Sequence, residues 1–160
     1  MTKIKLCGLT RPEDIAEANE LNPEYIGFVF AAKSKRAVSP EKAAELKAQL
    51  SPEIQAVGVF VNEMPETVAR LLNENIIDIA QLHGQEDEAY IHRLRELTNK
   101  LLIQAFRVDG PESLAKAQKS PADLILLDSG AGGTGTAFDW TLLEKFERPY
   151  FLAGGLDPDT

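Results

Sequence analysis

Seven short apolar runs divide this chain into repeated units of one strand followed by one helix. The runs begin near Lys3, Tyr25, Ala56, Ile79, Leu101, Leu124 and Tyr150. Runs such as Ile125-Leu126-Leu127 are aliphatic at successive positions, which is typical of strands buried on both faces of a parallel sheet. The units recur about every two dozen residues, although the residues themselves do not repeat, and this spacing predicts an α/β fold.

Six helices are predicted between the strands. Their starts are marked by Thr10-Arg11-Pro12-Glu13, Ser39-Pro40-Glu41, Met64-Pro65-Glu66, Glu88, Pro111 and Asp139. The first of these predicts a capping box with proline in the first turn, and Asp139 predicts an N-cap. The regular alternation favours a TIM (β/α)8 barrel over an open sheet.

The repeat stops after its seventh strand. Such barrels need eight units and typically run to about 250 residues, whereas Asp157-Pro158 reads as the start of a seventh helix. We therefore expect a single barrel domain over residues 1–160, truncated after the seventh strand, with its carboxyl-terminal units missing. Residues 1–160 alone should then lack full activity. The alternative is a flavodoxin-like open sheet that is complete at this length.

Composition excludes several classes of protein. The net charge of −8 argues against non-specific binding to nucleic acid, which requires clustered basic residues. One cysteine cannot form an internal disulfide, and metal-binding Cys/His spacing is absent from the sequence. No apolar run is long enough to span a bilayer or to form a signal peptide. We expect a cytoplasmic protein with no metal, membrane or nucleic-acid partner.

Two chemically useful side chains end predicted strands. Cys7 ends the first strand, and Asp128 ends the sixth before the glycine-rich segment 130–135. In parallel α/β proteins the active site lies at the carboxyl ends of the strands, so we expect one shared site. The structural alternatives are that Cys7 is a small buried thiol, that Asp128 is a turn residue and that segment 130–135 is a plain loop. If the segment is functional, we expect it to be a lid.

Further polar groups occupy the same predicted edge. Arg36 lies on the loop after the second strand, where its fork of donors could bind a carboxylate. His83 ends the fourth strand and Arg107 the fifth, while Gly154 and Gly155 could offer backbone amides to a phosphate. Each group also has a purely structural alternative. Arg36 would then be a solvated surface residue, His83 a hydrogen-bonded framework residue, and Gly154 and Gly155 turn residues. Together they favour an enzyme that acts on a small phosphorylated acid without metal or nucleotide cofactor.

The motifs around these residues resemble the phosphoribosylanthranilate isomerase family of tryptophan biosynthesis. The resemblance covers essentially the whole chain in order. It is carried by Lys5-Leu6-Cys7-Gly8-Leu9-Thr10, Gly27-Phe28-Val29-Phe30, Lys33-Ser34-Lys35-Arg36, Val57-Gly58-Val59-Phe60-Val61-Asn62, Gln81-Leu82-His83-Gly84, Leu127-Asp128-Ser129, Gly132-Gly133-Thr134-Gly135, Phe138-Asp139-Trp140 and Leu152-Ala153-Gly154-Gly155-Leu156.

This resemblance implies an Amadori rearrangement of a phosphorylated aminoaldose, without a cofactor. It implies that Cys7 is the general base and Asp128 the general acid. Arg36 would pair with the anthranilate carboxylate, and His83 would line the ring-binding side. Gly154 and Gly155 would bind the phosphate, with Arg107 as an electrostatic contributor.

Two other interpretations remain open from the sequence. One is another phosphosugar barrel, such as the synthase that follows in the same pathway, although no lysine here ends a predicted strand. The other is an incomplete barrel that binds weakly, or that associates with a complementing carboxyl-terminal segment or as a homo-oligomer.

Overall fold

The computed structural model describes residues 2–129 and 139–156, and all seven predicted strands lie within these ranges. The strands are β1 (Lys5–Cys7), β2 (Tyr25–Val29), β3 (Gln55–Phe60), β4 (Ile79–Leu82), β5 (Leu101–Arg107), β6 (Leu124–Asp128) and β7 (Tyr150–Ala153). The helices are α1 (Pro12–Leu21), α2 (Pro40–Gln49), α3 (Pro65–Asn73), α4 (Glu88–Leu97) and α5 (Pro111–Gln118), followed by a 3₁₀ helix (Trp140–Lys145). The predicted alternation of strand and helix is confirmed as far as β6.

Contacts within the chain define two units, Met1–Leu101 and Leu102–Thr160. In the first unit, β1, β2, β3 and β4 pair in parallel in that order, with Cys7 opposite Gly27 and Phe60 opposite Leu82. Strands β2, β3 and β4 are buried at nearly every position, which confirms that both of their faces are covered.

The second unit is a smaller parallel sheet with its own core. Strand β6 pairs with β5 on one side and with β7 on the other, which places Asp128 opposite both Arg107 and Ala153. A buried apolar cluster of this unit comprises Val108, Leu114, Ala117, Ile125 and Leu127. The strands of both units therefore present their polar carboxyl-terminal residues just beyond apolar interiors.

Three acidic side chains among the described residues share one structural role at the opposite ends of the strands. Each acid immediately precedes an even-numbered strand and accepts a hydrogen bond from a backbone amide at the start of the preceding odd-numbered strand. The pairs are Glu24 with Ile4, Asp78 with Ala56 and Asp123 with Leu102, at N···O distances of 2.7, 2.8 and 2.9 Å. The units therefore share a hydrogen-bond geometry at these positions, in which an acid satisfies a backbone donor that strand pairing leaves without an acceptor.

The first helix begins one residue later than the predicted capping box. Asp14, rather than Glu13, accepts hydrogen bonds from the backbone amides of Thr10 and Arg11, at 3.0 and 3.1 Å. The Arg11 guanidinium also binds Asp14, at 2.7 Å, and this interaction does most to lower the pKa of Asp14 to about 2. The additional charge–charge contact favours the shifted cap.

The sixth helix is a six-residue 3₁₀ helix rather than an α-helix. Asp139 caps it as predicted, accepting from the Thr141 amide at 3.0 Å. The segment between Asp139 and Pro149 is short, and short segments favour the tighter i→i+3 hydrogen bonds of a 3₁₀ helix. One such bond runs from the Leu142 amide to the Asp139 carbonyl oxygen. The predicted lid at 130–135 and the helix start at Asp157-Pro158 lie outside the described residues.

No helix in the described ranges combines the length and the apolar character needed to cross a bilayer.

We expect the substitution Asp78→Ala to lower the free energy of unfolding by about 2 kcal/mol. It removes the acceptor of the buried Ala56 amide and an ion pair with Lys47 at 3.0 Å. Asp78→Asn keeps an acceptor and should cost less. Urea unfolding measures both variants. The control Glu45→Ala removes an exposed acid of the same unit and should change stability by less than about 0.5 kcal/mol. Equal effects of Asp78→Ala and Glu45→Ala would contradict the role of Asp78.

Candidate active site

Cys7 is the last residue of β1, and its thiol is exposed to solvent. Its neighbour across the sheet is Gly27. A Cβ atom at position 27 would lie 2.7 Å from Cys7 Sγ, closer than real Cβ contacts allow. The glycine therefore provides the space that the thiol occupies.

The loop after β2 brings Arg36 onto the end of β1. Arg36 Nη1 donates a hydrogen bond to the Cys7 carbonyl oxygen at 3.1 Å. The guanidinium lies over Gly8, whose φ of +89° and lack of a side chain permit this approach; a Cβ there would collide with it. The Ser34 hydroxyl accepts from the Arg36 amide at 3.1 Å and stabilises the turn. The structure thus brings together two of the candidate residues from the sequence, Cys7 and Arg36.

His83 directly follows β4 and belongs to a hydrogen-bonded chain that reaches Lys5 on β1. The Gln81 side-chain amide contacts His83 Nδ1 at 2.8 Å, and its carbonyl oxygen accepts from Lys5 Nζ. Gln81 is only 2% exposed, so its polar groups require these contacts. The chain Lys5–Gln81–His83 lies entirely within the first unit, and Lys5 lies two residues before Cys7 on the same face of β1.

Sequence reasoning missed Lys5 and Gln81. Both lie two residues before a candidate residue on the same strand face, Lys5 before Cys7 and Gln81 before His83. The sequence did contain one signal for the role of Gln81: it is a polar residue within the otherwise apolar strand Ile79–Leu82.

Glu86 fixes the loop that carries His83. Its carboxylate is 8% exposed and accepts from the backbone amides of Asn62 and Gly84, at 2.8 and 2.7 Å. The Asn62 side chain accepts in return from the Gln85 amide at 2.7 Å. The loops that follow β3 and β4 are thereby held together next to the imidazole.

In the second unit, Asp128 ends β6 and is 8% exposed. Gly154 follows β7 with a φ of +87°, and a Cβ there would lie 2.6 Å from Asp128 Oδ1. Gly155 also has a positive φ, of +71°. Arg107 is exposed at the end of β5, opposite Asp128 in the strand register. The carboxylate therefore lies directly against the backbone of the glycine pair.

Both units thus carry titratable side chains at the carboxyl ends of parallel strands, and in each a glycine makes the space that a candidate side chain needs. No group of three or more potential metal-ligating side chains occurs among the described residues. Polar groups in these positions are typical of α/β enzymes.

Comparison with known proteins identifies the family. Residues 4–160 match the family described as N-(5'phosphoribosyl)anthranilate (PRA) isomerase. The N-(5'-phosphoribosyl)anthranilate isomerase of Endomicrobium trichonymphae is 43% identical over 163 residues, which cover 99% of this chain and 80% of the relative. The chain therefore belongs to the PRA isomerase family.

Solved structures agree with this assignment. The crystal structure of phosphoribosyl anthranilate isomerase from Thermotoga maritima is 36% identical and superposes with a TM-score of 0.89, covering 99% of this chain and 80% of that chain. A second crystal structure, of PRAI in complex with reduced 1-(o-carboxyphenylamino)-1-deoxyribulose 5-phosphate, is 34% identical with a TM-score of 0.86, covering 99% and 78%. The predicted fold class, a TIM-type α/β barrel, is confirmed over the flavodoxin-like alternative.

We expect Glu86→Gln to lower the free energy of unfolding by about 1–3 kcal/mol, because an amide nitrogen would replace one of two acceptors that face backbone donors. Denaturant unfolding measures the change. The control Glu88→Gln, an exposed acid in the first turn of α4, should have an effect several-fold smaller. If both substitutions cost the same, Glu86 does not fix the two loops.

Proposed function

We propose that this protein converts N-(5-phosphoribosyl)anthranilate into 1-(o-carboxyphenylamino)-1-deoxyribulose 5-phosphate, the Amadori rearrangement of tryptophan biosynthesis. The observation that carries the proposal is the family match over residues 4–160. The contact between Cys7 and Arg36 supports it, because the reaction needs a base beside a cation that binds the substrate carboxylate.

In the proposed mechanism Asp128 is the general acid. It donates a proton to the furanose ring oxygen, the C1–O bond breaks, and a Schiff base forms between C1 and the anthranilate nitrogen. The position of Asp128 at the carboxyl end of β6 supports this role, because active sites of parallel α/β proteins lie at that end of the strands. Its contact with Gly154 leaves the carboxyl beside a backbone that could hold the phosphate.

Cys7 is the proposed general base. Its thiolate removes the proton from C2 of the ribose moiety, and the electron pair moves to give an enolamine. The enolamine then takes up a proton at C1 and loses the proton of its C2 hydroxyl, which gives the aminoketone. The exposure of the thiol at the end of β1 supports this assignment, because the base must reach a bound sugar.

Three further roles belong to the proposal. Arg36 binds the anthranilate carboxylate, His83 lines the aromatic ring, and the amides of Gly154 and Gly155 bind the phosphate. Arg107 contributes positive charge. The predicted single domain, the cytoplasmic location and the homo-oligomer or complementing carboxyl-terminal segment stay predictions.

The substitutions Cys7→Ala and Asp128→Asn test the acid–base assignment. Each should lower kcat by about 100-fold or more, the usual effect of losing a general acid or base. Steady-state rates with N-(5-phosphoribosyl)anthranilate measure the loss. The control Glu112→Gln changes an exposed acid on α5 and should leave kcat unchanged. A near-normal rate in Cys7→Ala or Asp128→Asn would remove that residue from the mechanism.

Replacing Arg36 tests recognition of the carboxylate. Because a hydrogen bond to a charged group contributes about 1.5–3 kcal/mol, Arg36→Ala should lower kcat/KM by about 10- to 100-fold, mainly through KM. Arg36→Lys keeps the charge but not the planar fork and should recover only part of this. The neighbouring exposed cation provides the control Lys35→Ala, with an expected change below about twofold. A reduction in kcat alone would assign Arg36 a different role.

A further inference from the structure

We propose that Lys5 is a positioning residue for the candidate site: through Gln81 it keeps the proton of the neutral His83 ring on Nε2. The proposal rests on the proposed function for its catalytic consequence, but its structural content stands on the first unit alone. It concerns two residues, Lys5 and Gln81, to which the sequence analysis gave no role.

The first step is the orientation of the Gln81 amide. An ammonium group has only donors, so the Gln81 atom that faces Lys5 Nζ must be the carbonyl oxygen. The amide nitrogen then faces His83 Nδ1, at 2.8 Å. Lys5 thus determines that the nitrogen of the buried Gln81 amide, and not its oxygen, faces His83.

The second step is the tautomer of His83. An amide nitrogen is a donor only, so Nδ1 must accept, and the proton of the neutral ring lies on Nε2. The His83 backbone amide donates to the Phe60 carbonyl at 2.9 Å, which fixes the position of the residue after β4. The donor of the neutral imidazole is therefore Nε2–H.

The composition of the chain makes the histidine test specific. There are two histidines, and His92 is exposed on α4, where it serves as an internal reference. Nitrogen-15 NMR of the neutral ring should show the Nε2–H tautomer for His83. Gln81→Glu should invert it to Nδ1–H, because a carboxylate only accepts. Lys5→Met should leave a mixture of tautomers, while the His92 signals stay unchanged in every variant.

The matched control is Lys3→Met. It removes the same charge from an exposed position two residues earlier and should leave the His83 tautomer unchanged.

Activity then separates the two proposals. If the protein isomerises its substrate, Lys5→Met should lower kcat by about tenfold, and Lys5→Arg should recover it. If the full-length protein shows no isomerase activity, the proposed function fails, and NMR still decides the role of Lys5. An unchanged His83 tautomer in Gln81→Glu, or a pure Nε2–H tautomer in Lys5→Met, would overturn the inference.

Discussion

Parallel pairing of buried strands is the constraint on which the other features of this chain depend. Because β2, β3, β4 and β6 are covered on both faces, polar side chains are excluded from most of their length and collect at the strand ends. Within a strand, residues two apart project from the same face. That period places Lys5 with Cys7 and Gln81 with His83, so that one network joins the ends of β1 and β4.

The two ends of the strands have different tasks. At the amino ends, Glu24, Asp78 and Asp123 accept hydrogen bonds from strand amides, and this role is structural. At the carboxyl ends lie Cys7 and Asp128, the proposed base and acid. The separation allows the residues that stabilise the sheet to differ from those that react, as is typical of α/β barrels. The buried Gln81 is the exception, because its satisfied amide serves both purposes.

Much of this arrangement could be predicted from the sequence, because it depends on patterns local to the chain. The seven apolar runs gave the strands, and the proline and serine starts gave helices such as Pro40–Gln49. The acidic pairs and the Lys5–Gln81 contact could not be predicted, since they depend on strand register, which spacing alone does not determine. The use of Asp14 rather than Glu13 in the first helix cap could not be predicted either, because it depends on the three-dimensional contact between the Arg11 guanidinium and Asp14.

Glycines determine where the candidate side chains can lie. Cys7 Sγ occupies the space that a side chain at Gly27 would fill, the Arg36 guanidinium covers Gly8, and Asp128 lies against Gly154. In each pair the close approach brings a reactive or charged group within reach of exposed backbone, which a Cβ would prevent. In the motif Cys7-Gly8 a candidate side chain is therefore followed directly by a glycine that leaves space for the Arg36 guanidinium. The geometry of each candidate group is thus fixed as much by an absent side chain as by the hydrogen bonds around it.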